Sequence, residues 1–244
     1  MKSATKAASL RAAKAAVRQR EAIVLIQNYV EWVAARPSPH YVFRGQCARW
    51  PLVPAVGRNS RRYKPEREKQ LLSEFKRNAP PYLDSRVISS DWEWLSIAQH
   101  HGLPTRLLDW TTNAMVAAYF ANQIAQQNDE AGEVFAVTPS KYPAVEIVPH
   151  ATDDPFSLTE ISFIYPPALA ARIASQRGLF SVHPSPTEAF KVDDRDRFSF
   201  PVDLKVDAMK LLHRLGVDEH LLMGGLDGLA ATLKWRFLKG MVFA

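Results

Sequence analysis

Apolar positions recur at helical spacing from Glu21 to Ala35, where Ile23, Ile26, Val30 and Val33 share one face and Pro37 and Pro39 end the run. A short run of β-formers follows, Tyr41-Val42-Phe43-Arg44-Gly45-Gln46, and predicts a strand that delivers an arginine at its end, just before a glycine that would let a ligand or a neighbouring backbone approach closely. Trp50 to Arg58 reads as a proline-punctuated loop, and Pro65 to Arg77 as a helix with a mixed-charge, solvated face, closed by Pro80-Pro81. The chain is organised around Trp92 to Ala121. There an apolar helix runs into Gln99, His100 and His101, stops at Gly102 and Pro104, and gives way to a polar insert, Thr105 to Thr112. A second helix begins at about Ala114, capped by Thr111, Thr112 or Asn113, and buries Val116, Ala117, Phe120, Ala121 and Ile124.

Beyond a turn at residues 127–132 the chain turns to short runs of β-branched and aromatic residues. Strands are predicted at Glu133–Thr138, Ile161–Tyr165, about Leu179–His183 and about Phe198–Leu204. Residues 139–158 read as irregular and proline-rich, Leu169–Ser175 as a helix, Asp207–Gly216 as a helix, and Gly225–Ala230 as the opening of a terminal helix. No repeat or linker divides residues 21–244. The expected fold is therefore α+β, a single domain whose mixed, mostly antiparallel sheet is flanked by helices.

The formal charge of +6 has a single source. Residues 1–20 hold six Lys/Arg (Lys2, Lys6, Arg11, Lys14, Arg18, Arg20) and no acid, while residues 21–244 balance 25 against 25. The leader is expected to be a helical or disordered extension, with a transit peptide as the alternative. Nucleic acid is not expected to bind the core, although residues 58–77 and the leader leave a nucleic-acid-associated factor as a third reading. No run reaches the roughly 20 apolar residues that cross a bilayer, so no membrane partner and a cytoplasmic location are expected. The single Cys47 excludes an internal disulfide.

The candidate chemistry lies in polar groups placed where core would otherwise be written. His100, His101, His183 and His220 lack metal-ligand spacing, so no metal is expected, and Cys47 is a nucleophile only with a histidine brought beside it in space. An arginine fork suits phosphate or carboxylate, and a helix start offers N–H donors to an anion. The candidate ligand-binding residues are Arg44, Gly45, Gln46, Arg58, Gln99, His101, Thr105, Arg106, Asp109, Trp110 and Asn113, with a phosphate-bearing ligand as partner. The structural alternative pairs Arg106 with Asp109, and stacks Arg44 on Trp50 with a core carboxylate as its partner.

Phe43-Arg44-Gly45-Gln46, the W-x-L-x-P-x-x-x-R of Trp50–Arg58, the Q-H-H-G-L-P-T-R-L-L-D-W-T-T-N-A of Gln99–Ala114, the R-I-x-x-Q-x-G-L-F of Arg172–Phe180 and the L-D-G-L-A of Leu226–Ala230 together resemble the FRG domain family over about residues 35–230. A more distant resemblance is to ADP-ribosyltransferases of the Arg-Ser-Glu type. It is carried by F-R-G at Phe43–Gly45, by Trp110-Thr111-Thr112 with Tyr119-Phe120-Ala121, and by Thr159-Glu160 before an apolar strand and Pro166-Pro167. It departs from that type at Trp-Thr-Thr for Ser-Thr-Ser, and at Ser162 where a second glutamate stands in the family. The resemblance implies an ADP-ribosyltransferase-like fold and an enzyme, a toxin or defence effector, with NAD as substrate. It assigns the pyrophosphate or ribose to Arg44, the nicotinamide ribose to Thr111 and Thr112, and the oxocarbenium-like transition state to Glu160, with Gln176 as its substitute.

Overall fold

Alanine-rich sequence with no internal glycine or proline carries the first helix much further toward the N-terminus than hydrophobic periodicity requires. In the computed structural model, which describes residues 2–36, 41–83, 88–124, 130–146, 154–165 and 178–241, α1 spans Lys2–Ala34. It is followed by β1 (Val42–Gln46), α2 (Pro65–Asn78), α3 (Asp91–His100), β2 (Leu107–Thr111), α4 (Ala114–Asn122), β3 (Gly132–Val137) and β4 (Ala144–Glu146). Then come β5 (Ser162–Tyr165), β6 (Gly178–Val182), β7 (Arg197–Phe200), α5 (Lys205–Arg214), α6 (Glu219–Met223) and α7 (Gly225–Leu238). The fold is α+β, and the helix expected at Leu169–Ser175 lies outside the described residues. Among the described residues no helix is long and apolar enough to cross a membrane.

The chain gathers into two compact units, each built from separated stretches. One comprises residues 1–49, 113–136 and 193–244. Its strand β3 lies between β1 and β7, with β7 antiparallel and Val134 opposite Phe198. Helix α4 lies directly on this ribbon, because β1 and β3 each present a glycine to it. A Cβ at Gly45 would stand 1.9 Å from the Ala117 carbonyl oxygen, and one at Gly132 would stand 1.9 Å from that of Ala121. The close approach foreseen at Gly45 is thus made by neighbouring backbone. Around it pack Tyr29, Phe43, Val116, Val134, Phe200, Met209 and Leu212.

The buried stripe of α1 is Ala22, Ile26 and Tyr29, rotated from the expected Ile23, Ile26, Val30 and Val33; Val30 is 50% exposed. Aromatic area decides this. Tyr29 sits against Phe198 and Phe200 at 5.0 and 5.2 Å between ring centroids and donates its hydroxyl to the Ala114 carbonyl, gains that an aliphatic face cannot match. Burial holds the Tyr29 hydroxyl protonated far above its ordinary range. Similarly α4 stops at Asn122, so Ile124 is exposed and not part of its buried face. Strand β7 stops at Phe200 because Pro201 follows.

The other unit comprises residues 50–112 and 137–192. Its strands run β4-β5-β6-β2, antiparallel except that β4 and β5 are parallel. The expected polar insert at Thr105–Thr112 is therefore mostly a strand, β2, paired from Leu107 opposite Val182 to Thr111 opposite Gly178. Its residues alternate poorly because four of the five are buried, and its partner lies some seventy residues downstream. Helix α3 starts at a capping box, with the Ser90 side chain accepting from the Glu93 amide and the Glu93 carboxylate accepting from the Ser90 amide. It ends where Gly102 takes a φ of +82°. Trp92, Leu95, Ala98, Leu107, Ile164, Phe180 and Val182 form this unit's core.

Gly45→Ala is expected to destabilise the protein by about 3 kcal/mol, because strand and helix backbones must part to admit one methyl group; urea unfolding measures this. His213 is buried, stacks on Trp235 at 4.0 Å and lies 3.4 Å from Glu219. Burial lowers its pKa from 6.5, with Glu219 opposing. A lowered folded-state value means that stability is full above the unfolded value and declines as pH falls below about 6.5. Thermal melts between pH 7.5 and 5 are expected to fall for the wild type and to fall less for His213→Gln.

Candidate functional site

Most candidate residues belong to the joint between α3 and β2. Gln99, in the last turn of α3, accepts from the Thr105 hydroxyl at 2.6 Å and donates from Nε2 to Asp109 at 3.0 Å. The Thr105 oxygen in turn accepts from the Leu107 amide at 3.1 Å. A single amide side chain thus bridges the loop before β2 and the strand itself, using both ends of its carboxamide. The Thr105 carbonyl accepts from the Val56 amide, which brings the Trp50–Arg58 loop to the same joint.

Arg106 does not pair with Asp109. Its guanidinium forms a bidentate pair with Glu68 of α2, Nε to Oε1 at 3.0 Å and Nη2 to Oε2 at 2.8 Å, with side-chain exposures of 4% and 2%. The Phe156 ring lies 4.5 Å from the guanidinium carbon, and the Tyr63 hydroxyl donates to Glu68 at 2.9 Å. Burial, then the Glu68 carboxylate, push the Tyr63 phenol up to about 12. Asp109 is exposed and takes Gln99 instead, since β2 turns residues 106 and 109 to different surroundings. The α2 helix was expected to be solvated around its charges, yet Glu68 falls at i−4 from buried Leu72 and seven before Phe75. Its place in the helical stripe is the signal that charge counting hides.

A second polar line crosses β2 and β6. The Trp110 indole N–H donates to Ser181 Oγ at 2.8 Å, and Ser181 Oγ lies 2.8 Å from His183 Nε2. Ser181 is fully buried and His183 nearly so. The Arg106 carbonyl accepts from the His183 amide at 3.1 Å, so this line and the buried ion pair meet at one residue. His183 also lines a cleft of about 200 Å³ together with Glu160, Ser185, Glu188 and Phe190. Glu160 and Glu188 are exposed carboxylates on this cleft, and the Glu160 carbonyl accepts from the Ser162 hydroxyl at 3.2 Å. Sequence spacing could not bring Glu188 to Glu160, because β6 lies between them in the chain.

Arg58 is exposed and donates to the Val53 carbonyl at 3.3 Å; His101 is exposed at the end of α3 and rings against His100. Thr111 is buried within β2 and Thr112 half-buried beyond it. In the unit holding α1, Arg44 occupies the middle of β1 and not its tip, half-buried; Gly45 is taken by α4, and Gln46 is buried. Asn113 caps α4 by accepting from the Met115 amide at 3.0 Å. Gln176 lies outside the described residues. No group of three His, Cys, Asp or Glu is close enough to hold a metal among the described residues.

Removing one member of the buried pair strands the other charge without water. Glu68→Gln and Arg106→Met are each expected to cost about 3–5 kcal/mol, and the double variant Glu68→Leu with Arg106→Met is expected to recover most of that loss. Urea unfolding of the full chain provides the check.

Residues 39–130 match the family model of the FRG domain, a span from before β1 to the start of β3 that contains the whole α3–β2 joint and ends before Glu160. No curated protein and no solved structure matches the chain. The Phe43-Arg44-Gly45 strand and the clamped Gln99–Asp109 joint thus both lie inside the matched span, and an FRG domain is present in this chain at residues 39–130.

Proposed function

We propose that this FRG-domain protein cleaves the nicotinamide–ribose bond of NAD in the cleft lined by Glu160, His183 and Glu188. The observation that supports the reading is the presence of two solvent-reachable carboxylates on one small cleft beside a histidine held by Ser181. At about 200 Å³ the cleft is smaller than the roughly 300–1,000 Å³ of a site enclosing a whole drug-sized ligand. It suits the ribosyl end of a dinucleotide with the pyrophosphate left outside. The C1′–N bond breaks with its electron pair passing to the nicotinamide ring, which leaves neutral, and Glu160 stabilises the cationic ribosyl carbon. Water, or an acceptor hydroxyl, then bonds to C1′ and gives its proton to Glu188.

A second reading is a binding domain without catalysis. It is favoured by the internal satisfaction of Gln99, Thr105, Arg106 and Asp109, whose hydrogen bonds go to one another and to Glu68. Nicotinamide release from NAD, followed by chromatography, separates the two. The catalytic reading expects turnover by the wild type and a loss of about 100-fold in Glu160→Gln with the far-ultraviolet spectrum unchanged. Absence of release by the wild type, or equal rates in Glu160→Gln, leaves the binding domain.

A further inference from the structure

Helix α7 carries two faces of opposite character. The inner face docks on its own unit: Thr232 Oγ1 accepts from the His220 amide at 2.9 Å, Arg236 donates to Asp218 at 2.8 Å, and Trp235 stacks on His213. The outer face carries Leu226, Leu229, Ala230, Leu233 and Phe237, at offsets of 3, 4, 7 and 11 residues, which fall on one narrow stripe of a 3.6-residue helix. All five are exposed, Leu226 at 82% and Phe237 at 79%. The stripe presents apolar side chain on the order of 500 Å², a size at which an exposed patch marks a contact surface.

We propose that this stripe is the interface of a homodimer in which α7 of one copy lies antiparallel against α7 of a second copy. Charge complementarity identifies the occupant. Asp227 and Lys234 are exposed, stand two turns apart on the same edge of the stripe, and enter no ion pair among the described residues. An antiparallel two-fold pair sets the same edges of the two helices against each other, so each Asp227 faces the partner's Lys234, twice over. The apolar residues interlock in the same register: Leu226 meets the partner's Phe237, and the small Ala230 meets the partner's Leu233. A parallel pair sets this edge against the one bearing Leu229 and Arg236, where Asp227 finds no cation at its own level.

Sedimentation equilibrium of the full chain tests the interface. The wild type is expected to be a dimer at micromolar concentration, and Leu233→Asp a monomer with an unchanged circular dichroism spectrum. Asp227→Lys and Lys234→Asp, both at exposed positions, are each expected to weaken the dimer about tenfold, and their combination to restore it. A wild type that stays monomeric at about 100 µM overturns the proposal. So does a combined reversal that is as weak as the sum of the single ones. Monomers that bind phosphatidylcholine–phosphatidylserine vesicles through Leu226 and Phe237 would assign the stripe to a lipid surface instead.

Discussion

A guanidinium taken out of water needs a carboxylate at bonding distance, because the cost of burying either charge alone is several kcal/mol. Arg106 and Glu68 meet that need with two parallel hydrogen bonds, and in doing so they fix α2 against the start of β2. Phe156 covers the guanidinium face and Tyr63 occupies the carboxylate, so two loops are held by the same pair. The Gln99 bridge then sets the angle at which α3 hands over to β2. Trp110, Ser181 and His183 inherit their positions from that strand, and the cleft inherits His183.

Much of the architecture was legible because it rests on local signals. The glycine and proline after His101 mark the end of α3, Asn113 is the side chain that caps α4, and the runs of β-branched and aromatic residues at Val42–Phe43, Val134–Val137 and Phe163–Ile164 became strands. Gly45 was recognised as a point of close approach, although not that an alanine helix would use it. What escaped has one cause: the partner of a buried polar group is a fact of space. Arg106 could be seen to need an anion, but the nearest in sequence, Asp109, lost to one 38 residues away on another element. Strand β2 escaped for the same reason, since a strand flanked on both faces loses the alternation by which strands are read.

The candidate site was partly legible. Glu160 stands out in the sequence by its place before an apolar strand and lines a cleft, whereas its companions Glu188 and His183 come from beyond β6. Within the Gln99–Asp109 motif, side chains that chemistry would nominate for a ligand make their hydrogen bonds to one another and to Glu68. A motif dense in polar residues can thus encode a joint as readily as a binding surface, and only the count of filled donors and acceptors tells the two apart.

Helix α1 has a colloidal consequence. From Ser9 through Glu21 its described side chains are all exposed, and the sequence places the entire excess of positive charge on the first twenty residues. The remainder of the chain is formally neutral. Mutual repulsion between copies in solution therefore resides in one terminal segment, and it fades as salt shortens the Debye length toward a few ångströms. Ionic strength then acts on the dispersion of this protein mainly through the leader, while the folded body, whose charges balance, adds no net long-range repulsion.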